Sequence, residues 1–457
     1  VNSLFYRIRE KYFLVHRRRF DRVGRRNPYL RLLLEAQWWN PEKLAAFQLE
    51  KLRSLLAHAE ARVPHYRKTF AERGFAACRI ESVEDLQALP VLTKTTIQEN
   101  LEALLSADKE ERSYYANRTG GSTGNMLSFY QDHGYSCAGL ADLQRNFFWC
   151  GFRPCDPHVY LWGSDTDSRE FKTVRSVARG LLVPNTLWIN AFDIRWDALP
   201  FYACLLGWFK PRFIYGYVSV VMQFVRYLGE NGIRNIRPQA VQTTAEVLLP
   251  EHRELIRDVL GCPVFNRYGC REVGNIAHEC GAHEGLHVLG ENNLVEILKL
   301  ESDEPASIGE VGRIVVTNLN NYVMPFIRYE VGDLGRFLGK RCSCGRGLPL
   351  MDVDAGRVSD MIISPGGKWI HGEFFTHLFY KIPEVRQFQV TQADREHLRI
   401  LVVPGPGLRT EVLKRLEDEI RACGDPGFVI ETRIVDRIPC SPSGKFQFVT
   451  SARKGDS

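Results

Sequence analysis

Hydrophobic and polar positions change their period along this chain. From Pro41 to Ala61 apolar residues recur at helical spacing, and the run is amphipathic. Gln37-Trp38-Trp39-Asn40-Pro41 breaks the pattern before it and places Pro41 in the first helical turn. Ser82 suits an N-cap for a short helix over Val83 to Leu89; Glu84 and Asp85 favour its first turn and Pro90 stops it. Residues 1–110 therefore read as mostly helical. Beyond them, β-branched and aromatic runs alternate with helical patterns. Phe213 to Tyr217 reads as a strand ending in a glycine turn, followed by a helix from Ser219 to Asn231. Pro263 to Gly269 is a second strand-then-turn, and Gly312 to Thr317 a third strand. This alternation predicts an α/β region of layered sheets and helices. After about residue 357 the pattern restarts: strands at Phe388–Thr391 and Leu398–Val403, a helix from Arg409 to Ala422, and a strand from Val429 to Val435. That is a compact α+β unit, so we expect a large domain over 1–357 and a small one over 358–457.

Composition narrows the class. The 457 residues are 44% hydrophobic and 25% charged, as in a soluble globular protein. No apolar run reaches the roughly 18 residues of a membrane span, and Phe201 to Phe209 reads as a buried helix. No apolar h-region follows the early basic residues, so a cytoplasmic enzyme is expected. The net charge of +6 is concentrated near the N-terminus, from Arg7 to Arg26, among apolar residues. A solvated basic helix is the plainer reading; contact with a membrane surface is the other. No recognition motif accompanies the charge, so nucleic-acid binding is not expected. The 12 cysteines are spread irregularly, unlike a disulfide scaffold.

The chemistry starts at Thr119-Gly120-Gly121-Ser122-Thr123-Gly124, ahead of the strand-like Leu127 to Tyr130. Its glycines allow close backbone approach and its hydroxyls can donate to anionic oxygens, which suits nucleotide phosphates. It lacks the Gly-Lys-Ser/Thr ending of a Walker loop. Tyr268-Gly269-Cys270-Arg271-Glu272 follows a predicted strand; its Tyr could stack on a purine and its Glu hold Mg²⁺. Asp333 could accept bonds from ribose hydroxyls. Arg357 sits near the domain junction, and Lys445 lies in the turn Ser441 to Gln447. Each alone is a weak signal, with a surface turn or ion pair as the alternative.

In this order the motifs resemble those of the adenylate-forming superfamily, and most closely its phenylacetate-CoA ligase family, in the CapK-like or coenzyme F390 synthetase-like branch. The finer match is carried by Gln37-Trp38-Trp39, by Val63-Pro64-His65-Tyr66-Arg67, by the Thr119 to Gly124 loop, and by Tyr268 to Glu272 running on to Ala277-His278-Glu279-Cys280. The resemblance implies the adenylate-forming fold, with a small mobile C-terminal domain hinged around Val358 to Asp360. It implies that Thr119 through Gly124 hold the outer phosphates of ATP and that Tyr268 meets adenine. Glu272 would lie near Mg²⁺, Asp333 would bind ribose, and Arg357 would contact ribose or phosphate. Lys445 would bridge the acyl carboxylate and the α-phosphate. The implied reaction activates a carboxylic acid as acyl-AMP and passes it to CoA. Transfer to an amine or a carrier-protein thiol is the alternative, and a silent nucleotide-fold scaffold a second one. Homodimers are common in such families. Tyr130, Trp162, Tyr215, Tyr217 and Thr244 lie near motifs that line the acyl pocket of relatives, though core positions would look the same. The chain departs from many members at Asn125-Met126-Leu127, where Pro-Lys is frequent, and at Arg271.

Cysteine and histidine spacing suggests a second metal. Cys280, His287, Cys342 and Cys344 form the best four-ligand set for a structural tetrahedral Zn²⁺, with His278 or His283 able to replace His287. The alternative is buried free thiols and surface histidines.

Overall fold

The computed structural model describes residues 11–15, 27–118, 127–162, 185–190 and 198–357, and most of 362–451 except 367–368, 371–373, 376–377, 380–381, 383 and 439–447. The chain divides into two compact units. One comprises Val1–Val331 with Gly335–Asp352, the other Gly332–Leu334 with Val353–Ser457.

The first unit opens with helices α1 (Pro28–Ala36), α2 (Pro41–Arg62) and α3 (Pro64–Arg73). Asn27 and Asn40 cap α1 and α2 by accepting backbone amides, and each helix carries proline in its first turn. Val83–Ala88 is a 3₁₀ helix rather than an α-helix. The Asp85 carboxylate accepts the amides of both Glu81 and Ser82, which tightens the segment into a short turn. Of the basic N-terminal arm only Lys11 to Val15, which is helical, lies among the described residues.

A hairpin of β1 (Tyr114–Arg118) and β2 (Ser128–Asp132) leads into α4 (His133–Trp149). Then come β3 (His158–Trp162), β4 (Thr186–Asn190), α5 (Leu199–Phe209), β5 (Phe213–Tyr217), α6 (Val218–Glu230), β6 (Ala240–Thr244), α7 (Pro250–Leu260) and β7 (Val264–Cys270). Strands β8 (Gly274–Glu279), β9 (Leu286–Val288), β10 (Asn293–Leu298), β11 (Gly312–Asn318), β12 (Tyr329–Phe337) and β13 (Leu350–Arg357) complete an eleven-stranded sheet. Its order is β10-β11-β12-β13-β9-β8-β7-β6-β5-β3-β4. From β4 to β7 the strands are parallel. Helices α5, α6 and α7 cover one face of this part through Ile214, Val241, Val264, Leu206, Val225 and Ile256. Phe147 and the adjoining Cys150 of the α4 segment pack against the other, on Phe213, Tyr215 and Phe265. Ligands of such sheets gather outside the carboxyl ends of the parallel strands, which places attention on Trp162, Tyr217, Thr244 and Tyr268.

Two expectations are corrected. The strand at 264 runs through Gly269 to Cys270, and the turn follows at 271–273. Gly269 lies at a bulge against β8, where any Cβ would meet the Gly274 carbonyl oxygen. Helix α5 buries only one side: Leu199, Ala203, Leu206 and Phe209 are covered, while Phe201 is 65% and Trp208 50% exposed.

In the second unit, β16 (Val385–Gln392), β17 (His397–Pro404), β18 (Val429–Ile434) and β19 (Val449–Ser451) form a sheet in the order β18-β17-β16-β19. Helix α8 (Thr410–Cys423) buries Leu413, Leu416 and Ile420 on Phe388, Val390, Ile400 and Val402. The ribbon β14 (Ile362–Ile363) and β15 (Trp369–Ile370) adds Ile362 and Ile370 to this core.

Candidate active site and metal centre

Of the expected site residues, Thr119 to Gly124 and Lys445 lie outside the described residues, as does the Arg357 side chain at the end of β13. The Tyr268–Glu272 motif spans the carboxyl end of β7 and the turn beyond it. Tyr268 and Gly269 are half-buried. Glu272 is buried, and one carboxylate oxygen accepts the Tyr329 hydroxyl at 3.0 Å. Gln131 of β2 donates to the carbonyls of Arg271 (2.8 Å) and Glu272 (3.3 Å), and Tyr135 of α4 donates to Arg271 (3.3 Å). The turn that presents the carboxylate is thus fixed from three elements. Asp333 is half-buried in β12 and follows Gly332, whose φ of +89° favours glycine.

Tyr215, Tyr217 and Thr244 come together. All three are buried, and Trp162 lies 5.3 Å from Tyr215 and 4.8 Å from Tyr217 between ring centroids. Tyr160 stacks on Trp188 at 4.3 Å and meets Tyr215 edge-on at 5.2 Å. Burial holds the Tyr215 phenol above its ordinary pKa, so it is neutral. Tyr130 stands apart on the hairpin, edge-on to Tyr114 at 5.7 Å. Reasoning from sequence did not single out Arg267. Its Nη1 donates to the Tyr215 hydroxyl (2.9 Å) and Thr244 Oγ1 (3.0 Å), and its Nε to Asn275 Oδ1 (2.5 Å). The available signal was strand alternation, which sets Arg267 on the Phe265 face of β7.

Cys280, His287, Cys342 and Cys344 converge, with all four ligand atoms within 4.8 Å of one another. Cys280 and Cys342 Sγ are 3.6 Å apart, far beyond the ~2.05 Å of a disulfide. Cys344 Sγ and His287 Nε2 are 3.4 Å apart. Tetrahedral edges built on Zn–S bonds of ~2.3 Å and Zn–N bonds of ~2.0 Å are about 3.5–3.8 Å, so the donor set fits zinc. Burial lowers His287 to a pKa of about 4, keeping it the neutral imidazole that ligation requires, and its Nδ1 faces the Leu348 carbonyl at 3.3 Å. Burial pushes the Cys342 thiol up to about 12. The two alternative histidines are held elsewhere: His278 Nδ1 by the Glu279 carbonyl (2.5 Å), His283 Nδ1 against Glu279 (3.4 Å).

A buried ionic network was also missed. Arg145 is fully buried on α4, and its guanidinium meets Glu291 at 2.5 Å and Asp142 at 2.9 Å. It also donates to the Leu33 carbonyl of α1 at 3.2 Å.

Comparison with known proteins agrees with this architecture. The fold is that of the adenylate-forming CoA ligases. The chain superposes on a 2-hydroxyisobutyryl-CoA ligase in the postadenylation state, in complex with 2-HIB-AMP, with a TM-score of 0.73, 18% identity and 92% of each chain covered. It superposes on the O-succinylbenzoate coenzyme A synthetase of Bacillus subtilis, in complex with AMP, with a TM-score of 0.51, 16% identity and coverage of 75% and 69%. Within that class the chain is a homologue of the phenylacetate-coenzyme A ligases and of CapK. The phenylacetate-coenzyme A ligase of Thermus thermophilus is 27% identical over 340 residues, covering 71% of this chain and 73% of that protein. Protein CapK of Staphylococcus aureus is 22% identical over 402 residues, covering 80% of each. Residues 362–452 match the CapK C-terminal domain. Among the described residues no helix is long and apolar enough to cross a membrane.

Proposed function

We propose that this protein is an AMP-forming acid–CoA ligase of the cytoplasm. The observation that carries the reading is the adenylate-forming fold with Tyr268 and Glu272 at the carboxyl end of β7. A substrate carboxylate, ionised at neutral pH, attacks the α-phosphorus of ATP; the bond to pyrophosphate breaks and acyl-AMP forms. CoA sulfur then attacks the acyl carbon, AMP leaves, and the thiol proton is lost. Both substrates of the first step are anions, so positioning and charge neutralisation are what the protein supplies. In this reading Thr119 through Gly124 hold the outer phosphates, Tyr268 faces adenine and Asp333 the ribose. Arg357 contacts ribose or phosphate, and Lys445 bridges carboxylate and α-phosphate. Mg²⁺ held near Glu272 supplies further neutralisation when bound. Tyr215, Tyr217 and Thr244 line the acyl pocket, with Tyr130 at its margin. Cys280, His287, Cys342 and Cys344 bind a structural zinc. The domain beyond Arg357 exchanges faces between the two steps.

A second reading keeps the adenylation step and passes the acyl group to an amine or a carrier-protein thiol in place of CoA. Purified protein with ATP, Mg²⁺ and a panel of carboxylic acids should release pyrophosphate. CoA-dependent thioester supports the ligase, and acyl-AMP that ignores CoA supports the second acceptor. No release with any acid returns the chain to a silent scaffold. Lys445→Ala should lose adenylation by far more than it loses ATP binding, and unchanged adenylation removes the role assigned to Lys445.

A further inference from the structure

Arg267 stands one residue before Tyr268, at the carboxyl end of β7 and beside Thr244 at the end of β6. It shares its sheet face with the aromatic group of Tyr160, Trp162, Trp188 and Tyr215, and its guanidinium bonds the Tyr215 hydroxyl. The side chain is half-buried, yet its hydrogen-bond partners Tyr215, Thr244 and Asn275 are all neutral. Among the described residues no carboxylate lies within ion-pair distance of it. The acids on neighbouring elements are committed elsewhere. Glu279 takes Arg253 (2.7 Å) and the Asn266 amide (2.7 Å), Glu246 takes Ser219 (2.8 Å), and Glu272 takes Tyr329. His278, which pairs with Arg267 between β7 and β8, is fully buried and offers no carboxylate. A partly desolvated guanidinium with no counter-ion is costly unless a ligand brings one. Nε and Nη1 are anchored by the three bonds, and Nη2 makes none among the described residues. The fork is therefore pre-set to receive an oxygen anion.

We propose that Arg267 is a specificity-determining receptor for a second carboxylate, so that the acid activated here is a diacid. One carboxylate reacts with ATP; the other pairs with Arg267, with a flat apolar body against the aromatic group. This rests on the acid-activating function proposed above, and names the substrate class of the same site.

The test pairs acids that differ only in the second charge. Each of the 2-, 3- and 4-carboxyphenylacetates, and each of the three benzenedicarboxylates, is compared with its mono-amide by ATP-dependent pyrophosphate release. Wild type should prefer at least one diacid over its amide by about 10–100-fold in kcat/KM, the range of a charge-assisted hydrogen bond to a buried cation. Arg267→Met should collapse that ratio towards one, chiefly through KM of the diacid, and Arg267→Lys should restore part of it. Because both acids are read on the same variant, any loss of folding cancels in the ratio. Equal slowing of diacid and amide by Arg267→Met overturns the inference, since Arg267 would then hold the reacting carboxylate or merely support Tyr215. Turnover of the amides with no preference for any diacid also overturns it, while leaving acid activation intact. Absence of pyrophosphate release with every acid removes acid activation itself, and the inference with it.

Discussion

Replacing Arg145 by Met should expose the cost of the ionic network inside α4. The guanidinium is 0% exposed and bonds two carboxylates that are themselves buried, Glu291 at 0% and Asp142 at 2%. It also takes the Leu33 carbonyl of α1 and lies over the Trp149 ring at 5.3 Å. Methionine keeps much of the volume and all of the ring contact that a thioether can make, so packing is the smaller loss. The larger one is two carboxylates left in the interior with fewer partners. Asn292 donates to Asp142 at 2.5 Å, and Lys51 bonds the Glu291 backbone carbonyl at 2.9 Å rather than its carboxylate. Removing one partner of a buried ion pair costs about 3–5 kcal/mol, a large fraction of the ~5–15 kcal/mol that holds a domain together. The loss should depend on pH with a definite sign. Even beside Arg145, burial pushes Asp142 up to about 7, above its ordinary value of 3.8. Without the guanidinium the folded-state value of Asp142 rises further, so in the folded variant it holds a proton that the unfolded chain releases. Its contribution is then fully favourable below the unfolded value and is lost as pH rises through the folded one. Urea unfolding of full-length protein, followed by tryptophan fluorescence, should therefore show a larger penalty for Arg145→Met at pH 8 than at pH 5.5. Adding Asp142→Asn and Glu291→Gln should recover stability at pH 8. A penalty below about 1 kcal/mol at pH 8 would refute the reasoning, given the range expected for a broken buried pair; so would one that is equal at the two pH values.

Three further outcomes follow from local geometry. Cys342→Ser should lower the bound zinc of protein purified without added metal from near one equivalent to a trace, and lower the melting temperature with it; wild type that is metal-free and fully stable would end the assignment. Gly347→Ala would drive its Cβ into the Trp39 carbonyl oxygen and should cost about 1–3 kcal/mol by overpacking. Gly139→Ala in α4, with nothing within 4 Å of the added atom, should be neutral or stabilising by up to ~1 kcal/mol, so thermal melting of the pair separates collision from mere loss of glycine.

Much of the fold was legible because local chemistry and tertiary context agree. Phe213 to Tyr217 is rich in aromatic residues and buried at every position, and it is a strand as expected, though Gly216 stays in the strand in place of the expected turn and the next helix starts directly at Val218. Asn40 and Pro41 start α2 where capping and a preset φ require. What failed depended on pairing. Nothing local to Gly269 distinguishes a turn from a bulged strand; the close approach of Gly274 across β8 decides it. The choice among three histidines depended on pairing too. His278 and His287 face each other across β8 and β9, but only His287 reaches Cys344, because Leu350 of β13 pairs beside it. Asp142 and Arg145 stand three residues apart, a spacing that any solvated helix pair shares, and the further partner of Arg145, Glu291, is 146 residues away, beyond any local pattern.

Two of the motifs that carried the finer resemblance, Gln37-Trp38-Trp39 and Val63 to Arg67, are of a different kind from those that carry chemistry. Gln37 Oε1 accepts the Trp149 indole N–H at 2.8 Å and Arg346 Nε at 3.0 Å, while its backbone carbonyl accepts the Gly347 amide at 3.0 Å. Arg346 lies over Trp38 at 4.9 Å and over Trp149 at 4.5 Å, and Trp149 packs edge-on to His287 at 5.5 Å. Gln37-Trp38-Trp39 therefore clamps the loop that follows Cys342 and Cys344 onto α4 and the His287 strand. Tyr66, from the second such motif, donates to the Pro325 carbonyl at 2.9 Å and accepts the Ile327 amide at 3.1 Å, fixing the turn that leads into β12. Neither motif touches the carboxyl ends of β3, β5, β6 and β7, where the acid is proposed to sit. These segments are bound to one way of bracing the sheet, and the choice of acid falls to residues such as Arg267 that no motif singled out. A relative sharing both motifs but lacking an arginine at the position of Arg267 should thus keep the brace and the metal centre and yet activate a different acid.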